Sequence, residues 1–149
     1  MRKILFSTLI VVLAACASSN NAKVDIPQPD ITVDQLSSTP AVAEHVTGGV
    51  PIYLGMAVTN RADVPITLKR VNIQSMGSGG YNVPSQSRPI NKVIPPEGTD
   101  QEQFWVSAYA DPSVAGVNGA VALRVIAQFD SPKGAFETAT VHQVTGRLP

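Results

Sequence analysis

The chain carries one cysteine and two histidines, so few of its groups could do covalent or metal chemistry. His45 lies beside Glu44 in a loop-like stretch, and His142 lies far away in a β-patterned one. A metal site needs further His, Cys or carboxylate ligands at a recognisable spacing, and none is visible. Both histidines read as surface or strand-edge residues. The run Gly77-Ser78-Gly79-Gly80 lacks the spacing of a nucleophile elbow. It also lacks the Lys-Ser/Thr of a phosphate-binding loop, and no helix follows to offer its amino-terminal dipole. Glu97, Asp100 and Glu102 form an acidic cluster, but calcium wants more oxygens in a repeat that is missing, so a solvated turn is expected. No catalytic residue, metal or cofactor is expected. What remains is Cys16 and three aromatic side chains, Tyr53, Trp105 and Tyr109.

Cys16 gains meaning from what precedes it. Arg2 and Lys3 are followed by the uncharged, nearly all-apolar run Ile4 to Leu13. At ~1.5 Å of rise per residue this covers about half of a bilayer's hydrocarbon core, too little for a spanning helix. A basic start, a short apolar run and small residues before a cut describe a secretory signal peptide. The sequence Leu13-Ala14-Ala15-Cys16 resembles the lipobox of bacterial lipoproteins. The resemblance covers the first sixteen or so residues. It implies a signal helix over residues 1–15, cleavage between Ala15 and Cys16, and a diacylglyceryl group on the Cys16 sulfur. The other reading is an ordinary signal peptide cut after Ala15, with Cys16 incidental. A lone cysteine in an exported protein has no disulfide partner, and lipidation removes that liability. Two acyl chains hold a protein on a membrane where one is marginal, at roughly 0.8 kcal/mol per buried methylene. The following residue is Ala17, whereas the aspartate that resembles an inner-membrane retention signal is absent there. In a diderm bacterium the pattern implies the outer membrane, with the periplasmic face preferred over the cell surface.

Loss of residues 1–15 removes two of the 11 basic residues and none of the 11 acidic ones, so the mature chain carries a net charge of −2. That excludes the clustered basic excess needed for nucleic acid or for a polybasic hold on anionic lipid. Residues 16–30 read as the lipidated terminus and a disordered tether. Ala17 to Lys23 are small and polar, and Ile26-Pro27-Gln28-Pro29 favours extended backbone. At ~3 Å per residue the tether reaches on the order of 40 Å.

Residues 31–149 read as one all-β domain, since 12 prolines and 11 glycines interrupt any long helical pattern. Ile31-Thr32-Val33 opens a strand that runs towards Leu36. Val50, Ile52, Leu54, Met56 and Val58 alternate with smaller or more polar neighbours, the period of a strand with one face on a core. After the polar turn Asn60-Arg61-Ala62-Asp63, Ile66 and Leu68 share one parity while Val71 and Ile73 share the other, which predicts a β-bulge near Lys69 or Arg70. The two strands read as a hairpin. Tyr81 to Ser87 shows little pattern, Ile90 to Ile94 is a short edge strand, and Pro95-Pro96-Glu97-Gly98 turns the chain. Gln103 to Tyr109, Val121 to Phe129 and Ala135 to Val144 complete the set, the last two as an antiparallel pair.

About seven strands at this spacing predict a single antiparallel sandwich, with a small barrel as the alternative. Val58-Thr59-Asn60, Val64-Pro65-Ile66-Thr67-Leu68 and Val71 look like the second hairpin of immunoglobulin-like and LEA14-like (late-embryogenesis-abundant type-2) sandwiches. Ile94-Pro95-Pro96-Glu97-Gly98 and Phe104-Trp105-Val106 are similar to the turn and aromatic strand that follow in those folds. The resemblance implies fold and carries no catalytic residue. If Phe104 and Val106 face the core, Trp105 and Tyr109 form an exposed aromatic stripe, with Tyr53 on the outer face of an earlier strand. The function expected is therefore a membrane-anchored, non-enzymatic envelope lipoprotein, an accessory or structural module that contacts an envelope protein. The alternative is a module for a glycan or small apolar ligand, using Tyr53, Trp105, Tyr109 or the Gly77–Asn82 loop.

Overall fold

The computed structural model describes residues 24–37, 49–77, 79–110 and 120–145. The expected signal peptide with its cleavage residues Ala15 and Cys16, the expected tether as far as Lys23, and His45 lie outside these residues. Among the described residues eight strands form: β1 Asp30–Gln35, β2 Val50–Thr59, β3 Ile66–Met76, β4 Tyr81–Asn82, β5 Gln86–Ile94, β6 Thr99–Ala110, β7 Val121–Ser131 and β8 Gly134–Val144. They make two four-stranded antiparallel sheets, ordered β1-β2-β6-β4 and β5-β3-β7-β8. The all-β sandwich expected from the strand pattern is the fold.

The core follows the two-residue period. Ile52, Leu54, Met56 and Val58 of β2 and Val121, Leu123, Val125, Ala127 and Phe129 of β7 are all buried in the core. In β3 the parity slip does what the sequence predicted. The register shifts between Leu68 and Arg70 against both neighbouring strands, so Ile66, Leu68, Val71 and Ile73 all reach the core. One extra residue re-aims the rest of the strand. The β7–β8 hairpin closes at Ser131 and Gly134, with Gly134 at φ 126°, and Phe129 stacks on its cross-strand partner Phe136 at 5.1 Å between ring centroids.

Three expectations are corrected. β2 and β3 are not a hairpin: β2 pairs with β1 and β6, and β3 with β5 and β7 in the other sheet. The link between them is a crossover, because Asn60 directs the chain across the sandwich rather than back alongside β2. The tether expected to run to Asp30 is part of the domain from Val24 onward. Ile26 is buried in the core, Val24 packs against it, and Gln28 hydrogen-bonds Thr138 of β8. Two prolines kept this stretch extended, but an apolar residue between polar ones can still find a core. Finally, the patternless Tyr81–Ser87 stretch contains β4 and the start of β5, and both Tyr81 and Val83 are core residues.

Asn60 is wholly buried and fully used. Its Nδ2 donates to the carbonyls of Val64 at 2.8 Å, Pro95 at 3.0 Å and Ile94 at 3.3 Å, while its Oδ1 accepts from the Ala62 amide at 2.9 Å. Its own amide donates to the Gly98 carbonyl at 2.8 Å. One side chain thus joins the ends of β2 and β5 and the approaches to β3 and β6. The Pro95–Gly98 turn beneath it closes with a Gly98 amide to Pro95 carbonyl bond of 3.0 Å and holds Glu97 at φ 56°. Gly98 is required there, since a Cβ would sit 2.7 Å from Pro95 Cγ.

A buried carbonyl left without its donor costs roughly 1–3 kcal/mol. Asn60→Ala orphans several groups at once and is expected to cost about 3 kcal/mol, or on the order of 10 °C in melting temperature. Asn60→Asp, which sets a carboxylate against three carbonyls, should cost at least as much. Thermal unfolding followed by far-ultraviolet circular dichroism reads both, and a loss of under about 1 kcal/mol in either would show that the turn does not depend on this amide.

Candidate interaction surface

Phe104, Val106 and Ala108 of β6 point towards the core, Val106 and Ala108 fully buried, which turns the alternate residues outward. Trp105 and Tyr109 are 48% and 47% exposed, and Tyr53 of β2 is 52% exposed. Tyr53 and Trp105 are directly opposed across the β2–β6 ladder. Next along the same face, Pro51 opposes Ser107, and the Gly49 backbone lies against Tyr109, where a Cβ would be 3.3 Å from Tyr109 Cζ. Gly49, Pro51, Tyr53, Trp105 and Ser107 line an open groove of about 440 Å³. Burial of apolar surface here is available to whatever contacts the face, at about 25 cal/mol per Å² removed from water.

Sequence reasoning missed the residues that frame this face. β5 sends Gln86, Arg88 and Lys92 across the flank of the sandwich to β6. The Gln86 carboxamide donates to the Ser107 carbonyl at 2.7 Å and accepts from the Ser107 amide at 3.0 Å. The Arg88 guanidinium lies 4.6 Å from the Trp105 ring centroid, a cation–π contact that fixes the indole's attitude. Lys92 pairs with Glu102 at 2.7 Å and Asp100 at 3.1 Å, and these two carboxylates hold its pKa above the ordinary lysine value. The even spacing of Gln86, Arg88 and Lys92 was visible in the sequence, but nothing local says that β5 lies beside β6.

The remaining candidates are placed as follows. Asp100 and Glu102 are committed to Lys92 rather than grouped with Glu97, and among the described residues no three His, Cys, Asp or Glu side chains are placed to hold a metal. In the Gly77–Asn82 loop, Tyr81 turns inward, where burial pushes its phenol pKa well up and its hydroxyl donates to Gln35 Oε1 at 2.5 Å. Asn82 remains outside, accepting from the Ser75 hydroxyl at 2.7 Å. A second recess, about 590 Å³, lies where Val24–Gln28 crosses β8 at Glu137, Thr138 and Ala139, and no aromatic ring lines it.

His142 sits half-buried on β8, its Nε2 2.8 Å from Thr140 Oγ1. Burial lowers its pKa from the ordinary 6.5, with Asp34 pulling weakly the other way.

No protein-family model matches the chain, and no curated protein sequence does. Solved structures do resemble it. A late embryogenesis abundant (LEA) protein determined in solution aligns with a TM-score of 0.56 and 20% identity, over 87% of this chain and 76% of that one. The X-ray structure of a structural-genomics target, SoR45, aligns with a TM-score of 0.53 and 9% identity, over 79% and 85% of the two chains. At these identities the likeness concerns the fold. It agrees with the LEA14-like strand pattern read from the sequence.

A histidine whose folded pKa is lowered favours the neutral form in the native state. Its stabilising contribution is whole above its unfolded pKa near 6.5 and is lost as pH falls through the lowered value. Denaturant titrations of the wild type and His142→Gln should therefore converge as pH falls below about 6.5, the wild type losing more stability. Parallel curves would show that His142 is as hydrated folded as unfolded.

Proposed function

We propose that this chain is an envelope lipoprotein, anchored through a diacylglyceryl group on Cys16, whose sandwich is a non-enzymatic module for contact with another envelope protein. The observation that carries the contact is the outward Tyr53–Trp105 pair with Tyr109 on the same face, each about half exposed on a rigid central pair of strands. Rigid aromatic side chains bury large area at little entropic cost, which is why they recur at the centres of protein interfaces. The anchor rests on the basic start, the apolar run and Leu13-Ala14-Ala15-Cys16. The residue after the cysteine supports the outer membrane, with the domain on the periplasmic side. The mature charge of −2 supports neither nucleic acid nor anionic lipid headgroups as the partner.

The groove lined by Pro51, Tyr53 and Trp105 supports a second reading, in which a glycan or a small apolar molecule stacks on the same face. A thermal shift with glycan fragments separates the two. A ligand seated there raises the melting temperature in proportion to the logarithm of its concentration, and a purely protein-binding face leaves it unmoved.

In crosslinked native envelopes the full-length protein is expected to retain one consistent partner. The double variant Trp105→Ala, Tyr109→Ala should lose that partner while its stability changes by less than about 1 kcal/mol, both side chains being half in solvent. Recovery of only lipid and bulk protein from the wild type would count against the reading. Separately, Cys16→Ala should move the protein from the membrane to the soluble fraction and abolish incorporation of labelled fatty acid. Unchanged membrane retention without label would exclude the lipid anchor.

A further inference from the structure

Among the described residues, β6 has a strand partner along most of one side only. β2 pairs with it from Thr99 to Ala108, whereas β4 on the other side meets only Tyr109 and Ala110. The direction of each backbone group follows from the alternation of an antiparallel ladder. Tyr53 turns its amide and carbonyl away from β6, the amide donating to Ser37 Oγ at 3.1 Å and the carbonyl accepting from the Leu36 amide at 2.8 Å. Ser107 turns both of its groups away from β2, to Gln86. Counted in twos from Ser107, residues Trp105, Gln103 and Gln101 also present their amides and carbonyls to the side without a strand. Among the described residues nothing hydrogen-bonds them there. All three residues are exposed.

The Gln86 carboxamide shows that this edge accepts a strand's hydrogen-bonding pattern, because it donates and accepts as a peptide group would. One step further along β5, Arg88 covers the Trp105 ring at 4.6 Å. Its Nη2 donates to Gln86 Oε1 at 3.5 Å, but among the described residues its buried Nε has no hydrogen-bond partner and no ion pair includes it. Lys92 at the far end is already neutralised by Asp100 and Glu102. Among the described residues, a cation without a counter-charge therefore stands beside a stretch of sheet edge that no strand covers.

We propose that the β6 edge from Gln101 to Trp105 takes an extended segment of a partner protein as an added strand, with an Asp or Glu of that segment paired to Arg88. The proposal rests on the protein-contact reading above and gives it a mode and a chemistry. About five residues, or roughly 15 Å of strand, suffice to satisfy the free amides and carbonyls. Outward side chains of the added strand extend the apolar face at Trp105. A neutral glycan offers neither that donor–acceptor series nor the charge. A second copy of this chain offers, on its own β6 edge, only carboxylates that Lys92 already holds.

The test uses the full-length protein in native envelopes, with a photoreactive phenylalanine at Gln103 or at Tyr53. The same protein should be captured from both positions, and the peptide joined at Gln103 should contain an Asp or Glu. Capture from Tyr53 should then fall at least about tenfold in Gln103→Pro, which removes an amide hydrogen the fold does not use, and equally in Arg88→Gln. Undiminished capture in either variant overturns the added strand while leaving the contact at the aromatic face standing. No protein adduct from either position in the wild type overturns both readings. An adduct of two copies of this chain overturns the partner in favour of self-association. Should Gln103→Pro melt more than roughly 10 °C below the wild type, Arg88→Gln, which touches no backbone group, decides alone.

Discussion

Everything at one end of this sandwich hangs on a single uncharged amide. Asn60 is removed from water between two sheets, and its carboxamide meets the carbonyls of Val64, Ile94 and Pro95 together. Those carbonyls belong to segments entering or leaving three other strands, so the amide sets where the chain crosses from one sheet to the other and where it crosses back. A charged side chain would have to be desolvated at far greater cost, and a smaller one would leave the carbonyls dry and unpaired. The proline turn against Asn60 is its counterpart, with the backbone of Pro95–Gly98 held in a conformation that a larger residue at Gly98 would not permit.

The same crossings explain why the aromatic face is rigid. Because β2 ends at Asn60 and β6 begins just after Gly98, the two strands are brought side by side in a continuous ten-residue register, Val50 to Thr59 against Thr99 to Ala108. That register opposes Tyr53 and Trp105 and leaves neither free to rotate into the core, which Phe104, Val106 and Ala108 already occupy on the other side of the strand. On the flank, Gln86, Arg88 and Lys92 reach from one sheet to the other. A backbone amide, an indole face and a pair of carboxylates each receive a partner suited to their chemistry. Side chains thereby bridge the two sheets where no strand does, and among the described residues they take the backbone groups of Ser107 while leaving those of Trp105, Gln103 and Gln101 unused.

Much of the architecture was legible from local pattern. The alternation in Val50 to Thr59 and in Val121 to Phe129 located strands to within a residue or two, because burial of one strand face imposes a period of two that a helix cannot mimic. The parity change between Leu68 and Val71 announced the bulge for the same reason. Local pattern failed where the decisive neighbour is distant in the chain. Asn60 reads locally as the end of a strand and a polar turn, yet whether that turn returns beside β2 or crosses to the other sheet depends on Ile94 and Pro95, more than thirty residues on. Ile26 and Tyr81 sit in stretches whose composition suggests exposure, and each is buried by contacts no window of sequence contains.

The sequence by itself determined the fold class and the inward set of each long strand, since these follow from residue type and a two-residue period. It also contains all the grounds for a lipid anchor at Cys16, which is a matter of local motif and needs no fold. Tertiary structure alone decided which strands share a sheet and that Tyr53 lies opposite Trp105. It also decided that Arg88 covers the indole and that, among the described residues, one side of β6 has no strand partner between Gln101 and Trp105. The reason is physical: facing is a property of one strand, whereas pairing, stacking and an open edge are properties of two or more segments brought together by the whole core.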